Sequence, residues 1–402
     1  MTQASAPAPR PGRAAFLKDV FLCFLGSYGG PEAHYGVFSS ILVDKKKYLT
    51  EQELTEMIGL YSLVPGPSST QTITAIGYHV GGPLLALLTF LVWALPAIIA
   101  LTLIGLFFSQ VSAHSGWQPM LRHLPAAAVA FILFAAFSLG RKVLKEKKDV
   151  LLYALMLALS LLLVGYSMWV VPALLMLGGL MALLPRLLGG DRLHSEPLAG
   201  GFRPDFRLLI AVIALALINE ALRAAFHAPL LSLYTSFYRY GYSVIGGGQI
   251  VIPLMIQDLI ETQSLLSLPD FLSGYAIDQA IPGPLFSFSA FVSARAMAGS
   301  PLAPLAGLIG GLSIFLPGIL LVFFMFPLWR VLRRNAAVRL FLSGVTLTAA
   351  ALIAMTAIRQ VSALPREAVT YALTALFLAL LLSKRVPAPL IVLGAAALGF
   401  VI

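Results

Sequence analysis

Val64-Pro65-Gly66-Pro67-Ser68-Ser69-Thr70-Gln71 lies inside strongly apolar sequence, and Ile281-Pro282-Gly283-Pro284-Leu285-Phe286-Ser287-Phe288 echoes it 217 residues later. Pro-Gly-Pro removes backbone donors and breaks any continuous helix. Within a bilayer, broken backbone is tolerated only where protein or a water-filled cavity surrounds it. Two such breaks at corresponding places in two halves of one chain point to a transport site.

The surrounding composition places the chain in a membrane. Of 402 residues, 59% are hydrophobic and 11% charged, with mean hydropathy +0.90, whereas a soluble domain carries about a quarter charged residues. Several apolar segments exceed the roughly 18 residues that mark a membrane helix. The net charge of +10 sits in short loops, which reads as topology and contact with anionic lipid and not as nucleic-acid binding. Cys23 is alone, so neither an intrachain disulfide nor a multi-cysteine metal site is expected, and no cofactor is implied. Residues 1–15, rich in Ala and Pro, read as a disordered cytoplasmic N-terminus. Gly26, Gly29, Gly30 and Pro31 interrupt the first apolar run, which does not read as a signal peptide.

Self-similarity extends well beyond the two Pro-Gly-Pro turns. Gly30 of Ser27-Tyr28-Gly29-Gly30-Pro31 precedes Pro65 by 35 residues, and Gly247 of Val244-Ile245-Gly246-Gly247-Gly248 precedes Pro282 by the same 35. After each turn come a short helix, a Gly-Pro or Ser-Pro break, and a long span with a central proline: Pro83 to Phe108 around Pro96, and Pro301 to Pro327 around Pro317. Leu121–Gly140 then matches Leu340–Ile358, Val150–Gly165 matches Val369–Leu382, and Trp169–Leu184 matches Pro387–Ile402. The expected organisation is a first repeat over 16–185, a loop and linker membrane helix over 186–229, and a second repeat over 230–402. One extra crossing between equivalent repeats turns the second upside down.

Loop charge supports inversion. Ser109 to Gln118 carries no Lys or Arg, while its counterpart carries Arg330, Arg333, Arg334 and Arg339. One loop later the bias reverses, with Arg141, Lys142, Lys145, Lys147 and Lys148 against Arg359 and Arg366. Lys45, Lys46 and Lys47 likewise face Asp258 and Glu261. Such alternation is what the positive-inside rule gives for an inverted repeat. It places the N-terminus in the cytoplasm and the C-terminus outside, in an all-α polytopic protein with broken, re-entrant helices at its centre. Arg295 is the misfit, a cation outside or within the membrane.

Each Pro-Gly-Pro starts a new helix, with Pro in the first turn and hydroxyl residues suited to capping. Ser68, Ser69, Thr70 and Gln71 therefore offer hydroxyl and amide groups beside free backbone N–H groups at the positive end of a helix dipole. That is an anion site made without a fixed charge, with Gly66 allowing the turn. The second turn offers Gly283, Ser287 and Ser289, but Leu285 and Phe286 replace the two serines, so Phe286 reads as an apolar wall or gate. Gly29 with Gly30, and Gly247 with Gly248, let backbone approach the centre and present N–H groups. The bland alternative is a set of packing kinks, since Gly and small residues let membrane helices approach. Four breaks in register across the repeat favour the site.

Ionisable groups in the membrane are functional candidates. Glu32 and His34 follow the first Gly-rich break, and His34 suits proton carriage or hydrogen bonding to an anion; a satisfied polar pair at the membrane surface is the alternative. Gln249 follows the second break as an amide donor. For Asp278, four residues before Pro282, a structural cap or a partner for Arg295 is favoured over proton coupling; Arg295 could otherwise attract an anion. Glu220 and Arg223 are expected to pair at i,i+3, and His79, His114 and His123 read as interfacial. No H-E-x-x-H, G-x-S-x-G, P-loop or Rossmann glycine pattern occurs, so the reading is not an enzyme.

At these residues the sequence resembles the chromate ion transporter family. The resemblance rests on Ser27-Tyr28-Gly29-Gly30-Pro31-Glu32-Ala33-His34, on Pro65-Gly66-Pro67-Ser68-Ser69-Thr70-Gln71, on Gly246-Gly247-Gly248-Gln249, and on Ala280-Ile281-Pro282-Gly283-Pro284-Leu285-Phe286. It covers nearly the whole chain. It implies the long, two-half type with antiparallel halves and about 13 spans in a bacterial inner membrane. It also implies chromate export conferring resistance, with sulfate as the mimic. Members often have a small residue where Glu32 stands and His where Gln249 stands. The resulting expectation is a secondary transporter of a tetrahedral oxyanion, possible as a homodimer, rocking between its inverted halves. The rival is a channel or carrier for sulfate or another small anion, built on the same half-helices.

Overall fold

A computed structural model describes residues 12–28, 30–62, 64–113, 116–164, 166, 170–188, 206–226, 228–244, 251–332 and 336–401. Among them the fold is all-α. The first repeat comprises α1 (Arg13–Gly26), α2 (Pro31–Phe38), α3 (Glu51–Tyr61), α4 (Ser68–Ala113), α5 (Gln118–Arg122), α6 (Leu124–Val143), α7 (Lys147–Leu163) and α8 (Val170–Leu188). The linker helix α9 (Phe206–Ala225) follows. The second repeat comprises α10 (Pro229–Ser243), α11 (Val251–Met255), α12 (Leu268–Ala280), α13 (Phe288–Ala296), α14 (Ala303–Ser313), α15 (Leu316–Leu332), α16 (Ala336–Ala363), α17 (Ala368–Ser383) and α18 (Ala388–Leu398). Five of the described apolar stretches are long enough to cross a membrane, and four shorter ones accompany them.

The repeat holds at the level of single backbone angles. A π-helical segment over Ser39–Lys45 recurs at Ile256–Thr262, each bound 217 residues on. Positive φ recurs at the same interval in Lys47 (54°) and Ser264 (51°), Gly66 (121°) and Gly283 (118°), and Gly82 (78°) and Gly299 (87°). Thr50 caps α3 by accepting from Glu53 N, and Ser267 caps α12 by accepting from Asp270 N. Gly82 φ marks the expected Gly-Pro break within α4. The proline kinks differ: Pro96 stays inside α4, whereas the span around Pro317 divides into α14 and α15.

Contacts between repeats are reciprocal. Gly66 N–H donates to Val244 O at 2.7 Å, and Gly283 N–H donates to Ser27 O at 2.8 Å. A Cβ on Gly66 would meet Gly318 Cα, and one on Gly283 would meet the Ala97 methyl, each just past the other repeat's proline. When residue i of one repeat meets j of the other and j's counterpart meets i's, the two are related by an approximate two-fold axis. With the linker crossing α9 between them, the architecture is an inverted-topology repeat with broken helices at its centre.

The two repeats are not two bodies. The long helix α4 packs on α13, α14 and α15 of the second repeat as well as on α1 and α3. In turn α16 packs on α6, α7 and α8, and α17 packs on α6. At the α8–α16 crossing a Cβ on Gly344 would run into the Gly178 carbonyl, so small residues set the helix separation. One set of contacts thus joins the broken elements of both repeats and another joins the later helices of both, with α12 packing on α6 and α18 between the two sets.

Two side-chain expectations are corrected. Glu220 does not pair with Arg223; it faces α10, where Arg239 Nη1 lies 3.7 Å away and Tyr242 donates its hydroxyl at 3.4 Å. Arg295 does not pair with Asp278; it pairs with Asp270 at 2.8 Å. α12 enters the turn and α13 leaves it, so a side chain at the far end of α13 meets the start of α12, not its end.

Candidate functional site

The first Pro-Gly-Pro turn carries the chain into α4 with Pro67 before Ser68, and Gln71 N–H closes the first turn on Pro67 O at 2.9 Å. The N–H groups of the residues before it have no partner within the helix. α2 begins one residue after Gly30, whose φ of 102° and ψ of −179° are open to glycine alone. Two helix N-termini, those of α2 and α4, therefore meet in one place.

Three hydroxyls of α4 are each tied to a different side chain. Ser69 Oγ lies 3.1 Å from His34 Nδ1, Ser68 Oγ accepts from Tyr35 Oη at 3.1 Å, and Thr70 Oγ1 accepts from Trp93 Nε1 at 3.2 Å. The His34 ring stands edge-on to Trp93, with centroids 5.3 Å apart at 81°. His34 is 1% exposed, Thr70 and Trp93 are fully buried, and the two serines are nearly so. Among the described residues His34 Nε2 has no hydrogen-bond partner. In the tautomer in which Ser69 donates to Nδ1, Nε2 carries the hydrogen and is a free buried donor.

Gln71 plays a different part from its neighbours. Its Nε2 donates to Pro65 O at 2.9 Å and to Gly318 O at 3.1 Å, tying the turn to the proline kink of the other repeat. Gln71 Oε1 is buried and unpartnered.

The second repeat presents the same backbone with different side chains. Gly283 repeats the turn, a short 3-10 turn over Leu285–Ser287 leads into α13, and Leu285, Phe286 and Ser287 are all buried. Phe286 packs on Phe315, which packs on Phe90 of the first repeat. Ser289 donates to Phe286 O at 2.7 Å. Ser287, the counterpart of Thr70, is fully buried with a hydroxyl that has no partner among the described residues, as is Ser293. The position equivalent to Trp93 in the second repeat is Gly310.

The structure thus brings Gly30, His34, Gly66, Ser68, Ser69, Thr70 and Gln71 together, and sets Gly283 against Ser27. Gly29, Gly247, Gly248, Gln249 and His114 lie outside the described residues, as does the side chain of Glu32. His79 is exposed and lies 3.9 Å from Glu53, and His123 is buried at the start of α6. Tyr35 and Trp93 were not singled out from sequence, because they sit 33 and 23 residues from the hydroxyls they bind. Two hollows lie elsewhere: about 620 Å³ among Phe108, Arg122, Asp270 and Thr370, and about 700 Å³ in an apolar groove along Phe90 and Ile319.

The chromate transporter family profile matches residues 15–184 and again 231–400. The chain belongs to the chromate transporter family. The paired match coincides with the two repeats. Among curated members, a probable chromate transport protein of Synechococcus elongatus is 25% identical over 93% of this chain and 91% of its own length. A chromate transport protein of Cupriavidus metallidurans is 25% identical over 93% of this chain and 89% of its own length. An uncharacterized transporter of Methanocaldococcus jannaschii is 22% identical over 85% of this chain and 83% of its own length. No solved structure matches the chain. Chromate transporter membership makes this a multi-pass membrane transporter of chromate-type anions.

Proposed function

We propose that the protein is a secondary transporter that carries chromate out of the cell, with sulfate as a competing analogue. The observation that carries the reading is the free His34 Nε2 set in a buried ring of hydroxyls where the N-termini of α2 and α4 meet. A tetrahedral dianion needs several donors at once. Backbone N–H groups of Ser68, Ser69 and Thr70, together with Tyr35, Trp93 and His34, are such donors, and hydrogen bonds to charged groups contribute about 1.5–3 kcal/mol each. Each hydroxyl is bonded to a neighbouring side chain, so an entering oxyanion exchanges partners instead of desolvating bare groups. Gln71 serves by holding the Pro-Gly-Pro turn, and Phe286 closes the opposite wall.

Alternating access then consists of movement between the two mixed sets of helices, with the π-helical segments and Gly82 and Gly299 as the places where backbone angle changes. The orientation is N-terminus in, C-terminus out, across a bacterial inner membrane, as loop charge supports. Flux into proteoliposomes tests the proposal. Saturable chromate flux that sulfate inhibits is expected; an ohmic anion current without saturation would replace the carrier by a channel.

A further inference from the structure

Asp278 lies on the last turn of α12, four residues before Pro282. It is 6% exposed, and among the described residues its carboxylate accepts one side-chain hydrogen bond, from Gln279 Nε2 at 3.1 Å. No cation lies within ion-pair reach of it among the described residues: Arg295 is held by Asp270 and Arg239 by Asp258. An ionised carboxylate offers about four acceptor sites, and leaving most of them buried and empty is costly. The negative end of the α12 dipole adds to that cost.

The equivalent residue 217 positions earlier is Tyr61, fully buried, neutral, and with an unpartnered hydroxyl. The carboxyl therefore belongs to the second repeat alone, the one whose turn has lost its two serines. The elements packed on α12 bring little to neutralise it. The Leu285–Ser287 turn and α18 carry no titratable side chain, and α13 carries Arg295 alone. α6 has His123 at its start and Arg141 and Lys142 at its end. On α12 itself, Tyr275 stands one turn before.

Resting on the transport reading above, we propose that Asp278 is the cation-loading carboxyl of the transport cycle and that its cation is a proton. The side-chain hydrogen bond its carboxyl makes among the described residues comes from an N–H donor, which suits the accepting carbonyl of a carboxylic acid, and no cluster of three or more His, Cys, Asp or Glu side chains able to hold a metal ion occurs among those residues. One proton adds to the carboxylate when the end of α12 faces one side of the membrane and leaves on the other. The two repeats are then chemically divided, the first for the anion and the second for the proton.

The test uses the full chain in proteoliposomes. Net chromate flux under an imposed pH difference, proton movement reported by an entrapped pH dye, and chromate–chromate exchange without a gradient are measured together. Wild type is expected to show all three. Asp278→Asn is expected to lose the response to the pH difference and the dye signal while retaining exchange; Asp278→Glu is expected to keep all three. A pH response retained in a folded Asp278→Asn, or wild-type flux driven by sodium and not by protons, overturns the assignment. So does loss of exchange in that variant with an unchanged gel-filtration profile, which would mark a structural or binding role. Should Asp278→Asn fail to fold, Asp278→Glu decides: a shifted pH profile supports the proposal and an unchanged one overturns it. Absence of any chromate flux in wild type instead removes the transport reading itself.

Discussion

The backbone N–H of Gly66 is bonded to the carbonyl of Val244 at 2.7 Å, across the boundary between the two repeats. Its mirror, Gly283 to Ser27, has nearly the same length. Each Pro-Gly-Pro turn is thus held by a backbone carbonyl of the other repeat, just past the end of α10 or of α1.

Gly66→Ala should be severely destabilising. At φ 121° an L-residue is strained, and the new Cβ would lie 2.9 Å from Gly318 Cα, which is backbone and cannot step aside. Left-handed strain and overpacking together amount to on the order of 2–5 kcal/mol. Gly82→Ala has positive φ but open space, so its cost is expected to be about 1–2 kcal/mol. Thermal unfolding of the two variants in detergent compares them; equal effects would contradict the close approach.

Gln71→Ala removes two bonds to carbonyls, worth about 1 kcal/mol each. It should lower the melting temperature while leaving the chromate KM of the surviving protein little changed. A large rise in KM with unchanged stability would instead make Gln71 a direct ligand.

Trp93→Phe keeps the ring against His34 and deletes the N–H that binds Thr70. Transport should weaken through KM, because a donor at the cradle is lost, with expression unaffected. Ser68→Ala, Ser69→Ala and Thr70→Ala combined should abolish saturable flux; intact flux in that triple variant would sink the site.

Arg239 and Asp258 form a buried ion pair at 2.7 Å, and Tyr240 and Gln263 complete the carboxylate's hydrogen bonds at 2.6 and 2.8 Å. Arg239→Met strands that carboxylate, at about 3–5 kcal/mol. Adding Asp258→Asn should recover part of the loss, and a double-mutant cycle on melting temperature measures the coupling.

Glycine and proline made much of the fold legible, because they mark where backbone must depart from a helix. The register of 217 residues, the breaks at Gly82-Pro83 and Gly299, and the clustering of Ser68, Ser69 and Thr70 with His34 follow from them. The π-helices were not legible: Ser39–Lys45 and Ile256–Thr262 share backbone but almost no side chains. Trp93 and Tyr35 were missed because their partners are chosen by packing between elements. The Arg295 partner was misread for want of one geometric step. Counting outward from the turn between antiparallel α12 and α13 reaches the start of α12, where Asp270 stands. The mixing of the repeats into two sets depends on helix–helix contacts that no local pattern encodes.

The reciprocal bonding also sets an order of events during synthesis. When the first repeat leaves the ribosome, the Ser27 carbonyl and the Gly66 N–H lack these partners, and α8 has α7 but not α16 to pack against. These needs are met only once residues 244 to 344 have entered the membrane. Until then the first repeat is a template awaiting its complement, and the two repeats made as separate polypeptides should assemble only when produced together.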